Sequence, residues 1–182
     1  MAYKLNKTIV LVGMMGAGKT AVGKALALKI GVPFLDSDAE IEQAANMSIP
    51  EIFERDGEAF FRKRETEVLQ RLLVDEQKCV LSTGGGAFLA AENREMIGAQ
   101  GVSVMLAADL ALLWNRVRHK DTRPLLRTRD PRKTLADLYA ARAPIYALAD
   151  LTVAGCTEYS IEQMADKVLM ALTTRQDVLE TL

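Results

Sequence analysis

The chain has 182 residues, 49% of them apolar, enough to close a hydrophobic core around one domain. Lysine and arginine number 23 against 24 aspartate and glutamate, so the net charge is −1 and no global field favours nucleic acid or a membrane surface. One histidine, His119, and two cysteines far apart, Cys79 and Cys156, give no metal-ligand spacing, and no stretch reaches the ~18 apolar residues that span a bilayer. These features predict a soluble, reduced, cytoplasmic protein.

Strand-like and helix-like segments then alternate. KTIVLV (7–12) is apolar without alternation and reads as a strand buried on both faces. KTAVGKALALKI (19–30) places Val22, Leu26 and Ile30 at helical spacing, and Gly31 stops it. PFLD (33–36) is a short second strand, after which SDAEIEQAAN and residues 48–77 read as helices. Ser48 and Pro50 are start signals there, and a break falls near Gly57. KCVLST (78–83) is a third strand followed by three glycines, AAENREMIGAQ a helix, GVSVMLA (101–107) a fourth strand, and DLALLWNRV (109–117) a helix. RKTLADLYAARAPIYALA is mostly helical, DLTVA (150–154) is a fifth strand, and SIEQMADKVLMALTT is the last helix, with RQDVLETL a frayed helix or tail. Strands separated by helices predict an α/β fold with a parallel sheet covered on both faces. Ligands bind such sheets beyond the carboxyl ends of the strands. GMMGAGKT, DSD and TGGG follow the first three strands and share that rim.

Gly13, Gly16, Gly18, Lys19 and Thr20 fulfil G-x-x-x-x-G-K-[ST] between a strand and a helix, the context this phosphate loop requires. Its backbone N–H groups cradle phosphate oxygens, and the helix that starts there adds its positive end. Lys19 reaches the β- and γ-phosphates and the Thr20 hydroxyl ligates Mg²⁺. Many unrelated activities share this loop.

Four further features bear on the acceptor. DSD ends the second strand, so Asp36 and Asp38 point to the same side at period two. One carboxylate then holds Mg²⁺ waters and the other takes a proton from an attacking hydroxyl, unless Asp38 only caps the next helix. Arg62 and Glu65, three apart on a helix, make either a surface ion pair or part of a site. Gly84, Gly85 and Gly86 let a substrate approach the backbone. No acidic residue lies in KCVLST, so the carboxylate beside the metal comes from elsewhere, and Asp36 is placed for it. Finally, residues 116–133 carry eight basic and two acidic residues, with no aromatic interleaved for base stacking. A mobile cap that brings an arginine to the γ-phosphate fits them better than a nucleic-acid patch.

Taken in order, GMMGAGKT, DSD, GEAFFRKRE, TGGG, TRPLL and RAPIY resemble the shikimate kinase family, from about Lys7 to about Leu172. The resemblance implies a single three-layer αβα P-loop kinase domain over residues 1–182. Its five-stranded parallel sheet has the order 2-3-1-4-5, with a shikimate-binding helical region at about 38–65 and a lid at about 120–132. It implies MgATP-dependent phosphorylation of the 3-hydroxyl of shikimate, in the route to aromatic amino acids, by a monomer with no nucleic-acid or membrane partner. The implied ATP site is Gly16, Ala17, Gly18, Lys19, Thr20, Ala21, Arg116 and Arg123. Thr20 ligates Mg²⁺ and Asp36 holds it through water. Asp38, Arg62, Gly84, Gly85, Gly86 and Arg142 bind shikimate, Arg62 and Arg142 gripping its carboxylate, while Lys19, Asp38 and Arg123 are catalytic. A planar guanidinium suits a carboxylate acceptor. A gluconate-type sugar-acid kinase and a non-catalytic nucleotide-binding regulator are the alternatives.

Overall fold

The computed structural model describes residues 1–75, 77–119 and 124–182. The uniformly apolar TIVLV forms β2 (Thr8–Val12), buried along its whole length at the centre of a five-stranded sheet. β4 (Val80–Ser82) and β5 (Gly101–Ala107) flank it in parallel, with Val10 opposite Leu81 and Ser103. β3 (Phe34–Asp36) and β6 (Leu151–Ala154) form the two edges, giving the order β3-β4-β2-β5-β6. Counting only these five strands along the chain, this is the expected 2-3-1-4-5. Strands buried on both faces need no polar alternation, which is why TIVLV and GVSVMLA carry almost none.

The helices are α1 (Lys19–Ile30), α2 (Ser37–Ala45), α3 (Ile49–Asp56), α4 (Glu58–Val74), α5 (Ala91–Gln100), α6 (Leu110–Val117), α7 (Pro131–Tyr146) and α8 (Ile161–Leu172). They flank the sheet as an αβα sandwich, with α1 against α8 and α4 against α5. Their ends follow local chemistry. Ser48 Oγ accepts from Glu51 N ahead of Pro50, Gly57 separates α3 from α4, and Ser160 and Gln163 close a reciprocal capping box on α8. Single 3₁₀ turns span Ala87–Leu89 and Pro124–Leu126.

Two expectations are corrected. RQDVLETL does not fray: β7 (Leu179–Thr181) pairs antiparallel with β1 (Tyr3–Leu5), joining the two chain ends in a separate ribbon. Val178 and Leu179 are buried beneath it, and Asn6 Nδ2 donates to Glu180 Oε1 at 2.6 Å. The second correction is that β3 stops at Asp36 and α2 begins at Ser37, so Asp36 and Asp38 are not alternate residues of one strand. Among the described residues no helix is long and apolar enough to cross a membrane.

Candidate active site

The loops after β2, β3 and β4 meet at the carboxyl end of the sheet, as the topology requires. After β2 the chain turns through Gly16 (φ 82°) and Gly18 (φ 94°), a region that side chains with a β-carbon avoid. The loop is held from several directions. Ala17 N donates to Met14 O, Lys19 Nζ donates to Gly13 O at 2.7 Å and Met14 O at 3.0 Å, and Arg116 Nη1 donates to Gly16 O at 2.9 Å. A cavity of about 510 Å³ opens over it, lined by residues 15–22, Asp36, Asp38 and Arg116 among others. All the described residues of the expected ATP site, Gly16 to Ala21 and Arg116, lie on this cavity. Its far wall comes from Gly155, Tyr159, Ser160 and Ile161 after β6, a segment the sequence reading assigned to no contact.

Asp36, not Asp38, caps α2: its Oδ1 accepts from Asp38 N at 2.9 Å and Ala39 N at 3.3 Å. The cap leaves Oδ2 of Asp36 within 3.4 Å of the Thr20 hydroxyl, which donates to it. At the second residue of the helix, the Asp38 carboxyl is not the cap and faces the cavity. Burial, and after it the neighbouring Asp36 carboxylate, push its pKa up to about 6, against the pull of Lys19 and Arg62.

A second cavity of about 700 Å³ adjoins the first, and Met15, Asp38 and Gly84 belong to both. Its walls are apolar at Ile49, Pro50, Phe53 and Phe61 and basic at Arg62 and Arg127. Arg62 Nη1 donates to Glu65 Oε1 at 3.0 Å, and Glu65 is only 1% exposed, so this is no solvated surface pair. Burial drives the Glu65 carboxyl up in pKa while the Arg62 guanidinium opposes it, and Oε2 of Glu65 has no hydrogen-bond partner among the described residues.

The glycine triplet lies against side chains of the protein itself. A β-carbon on Gly84 would lie 2.6 Å from Asp38 Oδ1, and one on Gly86 would overlap the Arg62 guanidinium. On Gly85 it would lie 3.4 Å from Arg142 Nη1 and 3.7 Å from the Tyr146 hydroxyl. The glycines make room for the protein's own acid and arginines, and through them for a ligand. Gly85 and Arg142 do not line the second cavity, but Arg142 Nη1 and the Tyr146 hydroxyl, which donates to Gly85 O, both border the space where a Gly85 β-carbon would stand.

Three participants escaped the sequence reading. Met15 at the junction of the cavities carries no signal beyond its place in the loop. Arg127 was counted only as one charge among many, although it follows TRPLL by one residue. Tyr146 was quoted within RAPIY without a role. Arg123 and the start of the expected lid lie outside the described residues.

The shikimate kinase family model matches residues 15–173. The shikimate kinase of Ruegeria pomeroyi is 72% identical over 98% of this chain and 91% of its own length. That of Cereibacter sphaeroides is 65% identical over 98% and 88%. The structure of shikimate kinase from Acinetobacter baumannii in complex with shikimate superposes with a TM-score of 0.86 at 42% identity, covering 93% of this chain and 94% of that one. A phosphate loop opening on one cavity, an acid at its junction with a second, and arginines on the far side are thus features of a chain that belongs to the shikimate kinase family, the ATP-dependent kinases of shikimate.

Proposed function

We propose that the cavity over the phosphate loop takes MgATP, that the adjoining cavity takes shikimate, and that Asp38 at their junction receives the proton of the 3-hydroxyl. The observation that carries this reading is the sharing of Asp38 by both cavities, with its pKa raised to about 6. A carboxylate of higher pKa is a better base, yet it is still ionised at neutral pH. The hydroxyl oxygen attacks the γ-phosphorus, the bond to the bridging oxygen of ADP breaks, and the proton passes to Asp38. Lys19 and the loop N–H groups of Gly16 to Thr20 and Ala21 bind the phosphates, and Lys19 exchanges the carbonyls of Gly13 and Met14 for phosphate oxygens. Arg116 supports ATP binding through the Gly16 carbonyl it holds and the wall it forms.

The Thr20 hydroxyl and the Asp36 carboxylate, 3.4 Å apart on the cavity, are hard oxygen donors that fit Mg²⁺, with Asp36 acting through water. Mg²⁺ bound there supplies positive charge to the β- and γ-phosphate oxygens. Arg62, oriented by Glu65, and Arg142 grip the shikimate carboxylate, and Gly84, Gly85 and Gly86 admit the ring. Leu125 and Arg127 on the wall of the acceptor cavity support a lid over residues 120–132 that brings Arg123 to the transferring phosphoryl.

Coupled release of ADP tests the reading. We expect release with MgATP and shikimate together and its loss on chelation of Mg²⁺. Equal release with gluconate, or without an acceptor, overturns it.

A further inference from the structure

The buried hydroxyl of Tyr146 is absent from the chemistry above. Tyr146 is 0% exposed and closes α7, one helical turn after Arg142. Its hydroxyl donates to Gly85 O, the carbonyl between the two glycines against which Asp38 and Arg62 are lodged. The following carbonyls are held from the other side by α5. Asn93 Nδ2 donates to Ala87 O at 2.8 Å, with Asn93 itself fixed by Thr66, and Arg94 Nη1 donates to Phe88 O and Leu89 O. The turn Ala87 N to Gly84 O completes the segment. Three consecutive glycines have no side chains to pack and the largest backbone freedom of any triplet. External bonds must therefore fix this backbone, and within the triplet itself the bond from outside is that of Tyr146 to Gly85 O.

We propose that Tyr146 is a positioning residue for the acceptor: its bond to Gly85 O fixes the triplet that sets Asp38, Arg62 and Arg142 relative to one another. The inference rests on the acceptor site proposed above. Asp38 lies 2.6 Å from where a β-carbon of Gly84 would stand, so the Gly84 backbone is one wall of its burial. Arg62 fills the space at Gly86, and Arg142 borders the space at Gly85 together with the Tyr146 hydroxyl. A triplet that moves therefore moves the cation pair and wets the acid in one event. The phosphate loop is fixed by other bonds, from Lys19 and Arg116, and should not feel the change.

Tyr146→Phe tests this, because the ring that fills the core remains while the donor is lost. Shikimate affinity, read by calorimetry, should weaken about tenfold, with KM for ATP within about twofold of wild type. A variant that melts earlier, with shikimate affinity unchanged, would show Tyr146 to be packing only and overturn the proposal. Arg62→Ala is measured beside it. If Arg62→Ala weakens shikimate and Tyr146→Phe does not, this inference alone fails; if neither does, the acceptor-site reading fails first.

Discussion

The two cavities are built by opposite strategies. The nucleotide side is local: residues 13–20 supply its loop, and α1 starts within it. Its shape comes from backbone, with left-handed glycines and N–H groups that need no distant partner beyond Arg116. The acceptor side is assembled from α2, α3, α4, the loop after β4, the Pro124–Leu126 turn and α7, and its shape comes from side chains in contact. A site of the first kind is robust to changes elsewhere. A site of the second kind fails when any contributor moves, and this gives it selectivity for one small acid.

Substituting Asp38, the acid common to both sides, should have the largest effect. Asp38→Asn is expected to lower kcat by ~10²–10⁴ while MgATP binding stays within a few-fold. Retention of wild-type kcat would remove Asp38 from the chemistry. In wild type, kcat/KM should fall as pH drops through about 6, where Asp38 of the free enzyme protonates. Stability moves the other way. The folded pKa of about 6 exceeds the ordinary 3.8, so the stability contributed by Asp38 is full below about pH 4 and is lost as pH rises through about 6. Asp38→Asn should therefore melt above wild type at pH 8 and lose that advantage at pH 4. Identical melting at both values would contradict the buried placement of the carboxylate.

A matched pair of glycine substitutions separates the two strategies. In Gly86→Ala the new methyl displaces the Arg62 guanidinium from Glu65, the far end of a flexible side chain, so the fold survives. KM for shikimate should rise ~10–100-fold, as expected for loss of a charge-assisted contact, and KM for ATP should hold. In Gly16→Ala the methyl meets Val117 Cγ1 at 2.8 Å on a backbone with φ 82°. This should cost ~1–3 kcal/mol of stability and raise KM for ATP first. Steady-state kinetics that gave both variants the same profile would break the division between the sides.

That division also sets what the sequence could reveal. The five core strands were legible, because uninterrupted apolar runs and helix signals at Ser48, Pro50 and Gly57 act locally, whereas their order came from the family resemblance and not from any local pattern. The phosphate loop was legible from local signals too. Asp36 and Asp38 line one cavity, but not through strand alternation, since capping by Asp36 ends the strand before it could carry both. Glycine spacing could not show which side chains would occupy the space at Gly84 and Gly86, because those contacts span tens of residues. The β1–β7 ribbon joins the two ends of the chain, a pairing that no local pattern encodes.

Arg116 offers a smaller test of the local side. Its bond to Gly16 O is one of several that hold the loop, beside those of Lys19 and Ala17. Arg116→Ala should raise KM for ATP a few-fold, in line with the ~0.5–1.5 kcal/mol of one hydrogen bond, and leave shikimate affinity unchanged. A larger effect on shikimate would mean that the loop and the acceptor cavity are one cooperative unit.

The smallest effect is expected at the ribbon, and it checks that both cavities are insulated from the chain ends. Glu180→Ala removes the carboxylate that accepts from Asn6 Nδ2 at 2.6 Å, in a contact that is partly buried. Backbone pairing of Tyr3 with Thr181 and of Leu5 with Leu179 remains, as does the bond from Asn6 N to Val178 O. Val178 and Leu179 stay buried, so the ribbon keeps its apolar attachment. The loss is then one hydrogen bond to a charged group, ~1–2 kcal/mol, or a fall in Tm of ~2–6 °C for a chain of this size. Asn6→Ala should give a similar fall, and the double variant no more than the larger of the two, because both lose the same bond. Neither KM nor kcat should change at 25 °C in any of the three. A kinetic change in Glu180→Ala with an unchanged Tm would tie the ribbon to one of the cavities and end the claim that the chain termini serve the fold alone.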